Sequence, residues 1–231
     1  MVQGVSASRS LKNISEGSVY MELTKYEHAC FTVEKDGNVI VIDPGSFTSD
    51  FVVPEQVVAI IITHEHGDHL DTDHISSIIK ANPNAVIIGP QAVTAKLSTY
   101  ETRTVHGGDS FSLEGFDLDF YGDKHAIIHP QIPIVQNIGV LIDDRIYYPG
   151  DSWTIPEKSV DILALPIAAP WLKVSDAIEF VKAVGARLTF PTHDAILSEQ
   201  GKIVTDTTLQ RFTEESGTEY RRIDGETIEI E

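Results

Sequence analysis

The sequence has a single cysteine among 231 residues. Cys30 therefore has no internal disulfide partner, and a reducing, cytoplasmic compartment is the expected one. Long apolar runs are missing too. None reaches the ~18 residues that a bilayer-spanning helix needs, and no apolar stretch follows a basic start as in a signal peptide. Positive charge is scarce: 17 Lys and Arg stand against 35 Asp and Glu, a formal net charge of −18. Nucleic acid and anionic membranes are bound through clustered cations that neutralise phosphates. With no such cluster, neither partner is expected, and a small-molecule substrate is. No G-x-S-x-G nucleophile turn occurs, and Cys30 falls inside an expected strand. The attacking group is therefore expected to be water.

What is present reads as an ordinary globular protein, with 42% hydrophobic residues and 23% charged, long enough to bury a self-sufficient core. Residues 1–18, Ser- and Gly-rich and without periodicity, are expected to be an N-terminal extension to one domain over 19–231. From Val19 the pattern is β-type: VYMELTKYE, then ACFTVEK and NVIVID joined by Asp36-Gly37, a strong hairpin signal. The apolar run VVAIIIT suits a strand buried on both faces and leads directly to His64. Helices are expected at 71–80 and 91–98, around a strand AVIIG. A second β-rich half starts near Thr104 with the hairpin-like SFSLEGFDLDFYG. NIGVLIDDRIYYPGD supplies two strands around Asp143-Asp144. DILALPI is a further strand, and VSDAIEFVKAVG a helix capped by Ser175 and stopped by Gly185. ARLTFPTHD is a strand ending at His193; a helix at 208–216 and a hairpin close the chain. Two halves that each read strands, then strand–helix units, predict an α/β protein of two mixed sheets covered by helices, an αββα sandwich.

The chemistry concentrates in HEHGDH, residues 64–69. His64, His66, Asp68 and His69 place four ligand types within six residues, on the loop after a buried strand. His64 and His66 are spaced to grip one ion together, and Asp68 and His69, past Gly67, to turn toward a second. Imidazole and carboxylate suit a borderline divalent ion such as zinc, while iron and manganese bind similar sets. Further candidates sit just beyond apolar β runs: His125, Asp151 and His193. HAIIH also offers His129, although His125 comes first after its strand. Asp43, ending a strand in IDPG, either orients a ligand histidine through its other ring nitrogen or serves turn chemistry. His28 reads as a buried hydrogen-bonding residue behind the ligands, and His74 and His106 as surface residues. Trp153 and Trp171 stand equally well as pocket walls or as core.

HxHxDH followed in order by His, Asp and His resembles the metallo-β-lactamase-fold superfamily, over nearly the whole chain from Val19. The resemblance implies the four-layer αββα metallo-β-lactamase sandwich. It also implies a dinuclear centre in which His64, His66 and His125 hold one metal and Asp68, His69 and His193 the other. Asp151 would stand at the bridging carboxylate position, with a hydroxide between the ions. YEHACFTVEKDGNVIVIDPG also resembles the opening of the branch that includes ascorbate-phosphate lactonase-like and related uncharacterised hydrolases, with Glu27 where that branch often has Gly. Other branches fit less well. The best-known β-lactamases use a cysteine where this chain has Asp151. The stretch after His193 is short for the helical domain of glyoxalase II-like thioesterases. The tRNA-processing nucleases need a basic appendage, and flavo-diiron proteins a fused flavodoxin module. The expectation is a dinuclear, zinc-dependent hydrolase of a small ester, lactone or phosphoester, with Asp68 and Asp151 as its catalytic carboxylates. A phosphodiesterase acting on a phospholipid or nucleotide, and a non-catalytic metal-binding scaffold or sensor, are the alternatives.

Overall fold

The chain's apolar runs sort their side chains between two layers. In β3 (Asn38–Ile42) and β4 (Val57–Ile61), Ile40, Ile42, Ala59 and Ile61 face a central core, while Val39, Val41, Val57 and Ile60 face the opposite way into a second cluster. Both faces of these strands are buried, so a continuous apolar run replaces the alternation of a half-exposed strand. The computed structural model describes residues 20–49 and 51–231. The expected extension at 1–18 lies outside them.

Among the described residues, two seven-stranded mixed sheets pack face to face. The first contains β1 (Met21–Lys25), β2 (Phe31–Lys35), β3, β4, β5 (Val86–Gly89), β6 (Thr102–Thr104) and β14 (Thr227–Ile230), in the order β14-β1-β2-β3-β4-β5-β6. The second contains β7 (Ser110–Leu113), β8 (Phe116–Tyr121), β9 (Gly139–Ile142), β10 (Ile146–Tyr148), β11 (Ile162–Pro166), β12 (Leu188–Thr192) and β13 (Glu219–Tyr220), in the order β13-β12-β11-β10-β9-β8-β7. Phe31, Phe116, Phe120, Tyr148 and Phe190 fill the space between the sheets. Helices α1 (Thr72–Ala81) and α2 (Gln91–Lys96) cover the first sheet through Ile75, Ile78 and Val93. Helices α3 (Val174–Val184) and α4 (Glu199–Glu214) cover the second through Ala177, Phe180, Val181 and Leu209. Two outer clusters and one central one make the four layers of an αββα sandwich. None of the described helices is long and apolar enough to cross a membrane.

Local chemistry accounts for most boundaries. Asp36 and Gly37, both at positive φ, make the tight β2–β3 turn. Asp71 caps α1 by accepting from the Asp73 and His74 amides at 2.9 Å. Gly185 ends α3 in the left-handed conformation, at φ 68°. Three expectations are corrected. Lys173, not Ser175, is the N-cap of α3, and no side chain caps it. Helix α4 begins nine residues before 208, at Glu199, because the Ser198 hydroxyl accepts from the Gly201 amide and starts it there. The closing hairpin does not form: β13 pairs parallel with β12, whereas β14 crosses to pair antiparallel with β1 in the other sheet.

This topology builds one rim. β3, β4 and β5 run parallel, as do β10, β11 and β12. Their carboxyl ends gather at one edge of the sandwich, where ligands of α/β sheets bind.

Candidate metal centre

The rim is built from strand ends of both sheets. The first sheet supplies His28 before β2, Asp43 after β3 and the 64–69 loop after β4. The second supplies His125, Asp151 and His193, which follow β8, β10 and β12. The 64–69 loop is a turn rather than an extended segment, with the amides of His69 and Leu70 both bonded to the His66 carbonyl at 3.1 and 2.9 Å. The Pro44-Gly45 turn is pressed against it. A Cβ on Gly45 would lie 1.8 Å from the Asp68 carbonyl oxygen, so only glycine fits there. On the other side a Cβ on Gly150, at φ +61°, would lie 2.4 Å from Asn137 Oδ1 and 2.8 Å from Thr63 Cβ. His28, Asp43 and His193 also sit at positive φ, at 56°, 41° and 59°. Backbone strain of roughly 1 kcal/mol or more each is thus stored among the centre's own residues.

Hydrogen bonds fix which ring nitrogen faces inward. His125 Nδ1 lies 2.6 Å from the Ala126 carbonyl and His193 Nδ1 2.6 Å from the Ala168 carbonyl. Carbonyls only accept, so both Nδ1 atoms carry a proton, and in the neutral rings Nε2 is the nitrogen left to bind an ion. His69 Nδ1 donates to Asp43 Oδ2 at 2.6 Å, with the same result. The Thr63 hydroxyl donates to Asp43 at 2.6 Å, which leaves its oxygen to accept from His64 Nδ1 at 3.1 Å. Of the two roles open to Asp43, the structure shows it orienting His69 directly and His64 through Thr63, in the manner of carboxylate–histidine pairs behind metals.

The bare atoms converge. His64 Nε2 and His66 Nδ1 are 3.0 Å apart and group with His125. Two lone pairs at that separation share either a proton or a cation. Asp151 Oδ2 stands 3.2 Å from His125 Nε2 and 3.1 Å from His193 Nε2, while its Oδ1 is 3.3 Å from His69 Nε2. Asp68 Oδ2 lies 3.3 Å from His193 Nε2 and 3.8 Å from His69 Nε2. Three overlapping sets of possible metal ligands result, each with its donor atoms within 4.8 Å: His64, His66 and His125; His64, His69 and Asp151; His28, Asp68, His69 and His193. Imidazoles bound to one tetrahedral zinc stand roughly 3.4 Å apart, so the spacing suits an ion. Seven buried side-chain polar atoms among the described residues lack a hydrogen-bond partner. Four of them are His69 Nε2, His125 Nε2, His193 Nε2 and Asp151 Oδ1. Buried polar atoms are normally satisfied, and cations bound in these sets would satisfy all four.

The electrostatics agree. Burial, then the neighbouring His69, hold His64 well below its ordinary pKa, so it stays neutral and ligand-ready. Burial would raise Asp151, but His69 and His193 outweigh it and keep the carboxylate charged. Burial would likewise lower His69; Asp151 and Asp43 overcome it and raise His69 well above its ordinary value. The two carboxylates therefore draw positive charge into the centre.

The structure brings together all seven residues expected at the site. His129 is exposed and outside the cluster, accepting from the Gln131 amide at 3.2 Å. His106 is exposed; His74 is half-buried against the Phe51 ring rather than on the open surface. His28 lies closer to the centre than expected. Its Nδ1 accepts the Ala195 amide at 3.3 Å, so its Nε2 carries the proton and donates to Asp68 at 3.1 Å. Asn137 and Lys25 were not foreseen. The Asn137 side chain accepts the Asp151 amide at 2.9 Å and donates to the Pro149 carbonyl at 2.8 Å. Lys25, fully buried, spends its ammonium on the carbonyls of Tyr26 and His28 and so fixes the turn that carries His28. A sequence signal for either was slight: an amide before a buried strand, and a cation ending an apolar one. Trp153 packs against Phe180 in the outer core, whereas Trp171 reaches the centre and donates to Asp151 at 3.0 Å.

Fold and centre together define a class, the metal-dependent hydrolases built on the metallo-β-lactamase sandwich. The chain belongs to the beta-lactamase superfamily domain family, whose model matches residues 22–193. It is 34% identical over 206 residues to Protein Rv0786c of Mycobacterium tuberculosis, a match covering 87% of this chain and 95% of that protein. It is 28% identical over 201 residues to a UPF0173 metal-dependent hydrolase of Bacillus cereus, covering 75% of this chain and 85% of the relative. Among solved structures, Igni18, a metallo hydrolase from the hyperthermophilic archaeon Ignicoccus hospitalis, has the same fold. Its TM-score is 0.71 at 18% identity, over 92% of this chain and 99% of that one.

Proposed function

We propose that the centre holds two divalent ions, zinc by preference, and hydrolyses a small ester, lactone or phosphoester. The observation that carries this is the three overlapping sets of possible metal ligands drawn from both sheets, which contain four buried donor atoms without a hydrogen-bond partner. His64 Nε2, His66 Nδ1 and His125 Nε2 would hold one ion; Asp68, His69 Nε2 and His193 Nε2 the other. Asp151, flanked by His125 on one side and by His69 and His193 on the other, would stand between them. When bound, such ions acidify a water toward a pKa of ~7 and polarise the substrate oxygen. Burial would raise Asp68, but the His193 imidazole beside it and the hydrogen bond from His28 hold it far below the usual carboxylate range. It therefore stays charged and could orient a bound water by accepting its hydrogen bond, rather than act as a general acid. The net charge of −18 supports a small molecule over a polyanionic substrate, and the reducing compartment inferred from Cys30 remains the expected location.

One observation favours a second reading, a phosphodiesterase acting on a phospholipid. Beside His66 and His125, the half-exposed Ile132 and Ile134, with Ile128, Pro133 and Val135, form an apolar surface that an alkyl chain could lie against. Metal analysis of the purified protein, followed by chromogenic lactones, carboxylic esters and bis-phosphodiesters, tests both. Two equivalents of metal with turnover of a lactone or ester is the expected result. Faster turnover of diesters bearing alkyl chains would favour the second reading. Zero or one equivalent in metal-replete protein refutes the two-ion centre, and two equivalents without any turnover identifies a metal-binding scaffold. Asp151→Ala is expected to abolish activity and loosen both ions, while His129→Ala leaves metal content unchanged.

A further inference from the structure

The hydrogen bond between Trp171 and Asp151 links the centre to a loop that supplies none of its expected ligands. Trp171 follows β11 in the PIAAPWL segment, a few residues after Ala168, whose carbonyl fixes His193. Its indole N–H donates to Asp151 Oδ2 at 3.0 Å, and its ring stands edge-on to His125, with centroids 5.9 Å apart. An indole N–H is a donor only, so the assignment has no tautomer to choose. The Asp151 backbone is held on both sides, its amide by Asn137 Oδ1 and its carbonyl by the Ala126 amide. The carboxylate can rotate about Cβ–Cγ, and among the described residues Trp171 is the one side chain outside the ligand set that donates to it.

We infer that Trp171 is a positioning residue for Asp151, fixing the carboxylate plane and making its two oxygens unequal. Oδ2 gives part of its electron density to the indole; Oδ1, buried and without a hydrogen-bond partner, keeps its full strength toward the side of His69. The inference rests on Asp151 being a metal ligand, as proposed above. Loss of the N–H should then weaken metal binding without unsettling the fold, because partners that orient ligands typically contribute 10–100-fold to metal affinity.

Cobalt(II) provides a probe with a visible ligand-field spectrum. Wild-type protein, Trp171→Phe and Trp153→Phe would each be stripped and titrated with cobalt against a competing chelator. Trp153 packs on Trp171 at 5.1 Å between ring centroids but makes no hydrogen bond to the carboxylate, so it controls for packing. The expected result is a 10–100-fold loss of affinity for at least one cobalt in Trp171→Phe, with altered ligand-field bands. Trp153→Phe should bind like wild type. If Trp171→Phe fails to fold, 3-benzothienylalanine at position 171 replaces the N–H by sulfur in an isosteric ring and should show the same loss. Wild-type affinity and spectrum in a variant lacking the N–H would overturn the inference and leave the metal reading standing. An equal loss in Trp153→Phe would also overturn it, assigning the effect to packing. Wild-type protein that binds no cobalt would sink the metal reading and this inference with it.

Discussion

Asp43→Asn isolates the role of a residue that touches no expected substrate atom. The Asp43 carboxylate accepts three hydrogen bonds: the Thr63 amide on Oδ1 at 2.8 Å, and the Thr63 hydroxyl and His69 Nδ1 on Oδ2, both at 2.6 Å. An asparagine of the same shape keeps only one acceptor. If that oxygen stays on the Thr63 amide, an NH2 group faces the Thr63 hydroxyl and His69 Nδ1. His69 must then move its proton to Nε2 and accept on Nδ1, which points an N–H at Asp151 Oδ1, 3.3 Å away, in place of a lone pair. The hydroxyl of Thr63, now accepting from the amide, is free to donate to His64 Nδ1 and invite the same reversal there. One substitution thus withdraws one ligand and endangers another. Loss of such an orienting partner costs about 10–100-fold in metal affinity, or about 1.4–2.7 kcal/mol.

Two measurements check the argument. Chelator-competition titration gives the affinity, and long-range 15N correlation spectra of the histidine rings give the tautomers directly. The expected outcome is weaker binding of at least one metal together with an Nε2–H tautomer at His69. Wild-type affinity with His69 still protonated on Nδ1 would refute the account, because then Asp43 does not set the ring.

Three further outcomes are expected. Stripping the metals should destabilise the fold: ligand at a thousandfold over its dissociation constant contributes about 4 kcal/mol, which at this chain length corresponds to a fall in Tm of roughly 8–16 °C, and calorimetry showing no fall would contradict a buried centre. In the stripped protein, His193 is raised to about 9, burial being outweighed by Asp151; since this lies above the unfolded value near 6.5, its stabilisation is present below that pH and lost between about 6.5 and 9, with His69 raised in the same sense, so urea midpoints should fall across that window and a flat profile would count against it. Gly45→Ala places a Cβ 1.8 Å from the Asp68 carbonyl and should cost about 3 kcal/mol or more, whereas Gly67→Ala, with only Ser46 Oγ at 4.0 Å, should change denaturation midpoints little.

Much of this was legible in the sequence because the informative residues are either periodic or clustered. Apolar runs such as ILALP mark strands buried on both faces, and His64, His66, Asp68 and His69 carry their chemistry within one turn. What escaped depends on pairing between distant segments. Residues 219–230 read as a hairpin because Asp224-Gly225 is a good turn, yet each strand finds a longer apolar neighbour in a different sheet. The start of α4 was hidden because Gly201 lies in its first turn and Ile203 and Val204 face solvent, which blurs the apolar stripe. His28 and Asp68 are forty residues apart, and Trp171 and Asp151 twenty. Their hydrogen bonds exist only once the sheets are stacked.

That stacking explains why a cation belongs at this rim. Asp43, Asp68 and Asp151 bring three carboxylates into one largely buried region contributed by both sheets. The nearby fixed cations are committed elsewhere: Lys25 to the carbonyls of Tyr26 and His28, Lys96 to Glu65 at 2.7 Å, and Arg222 to Asp194, Asp206 and Asp224. Unpaired buried carboxylates are costly, so without metal the site must draw protons onto imidazole, as the raised pKa values of His69 and His193 show. A divalent ion supplies the same positive charge while leaving the rings neutral as ligands, and it ties the 64–69 loop of one sheet to His125, Asp151 and His193 of the other. Metal bound here would then be as much the fastener of the two sheets at this edge as the source of reactivity, and its removal should loosen the rim before it disturbs the apolar core around Phe31, Phe116 and Phe190.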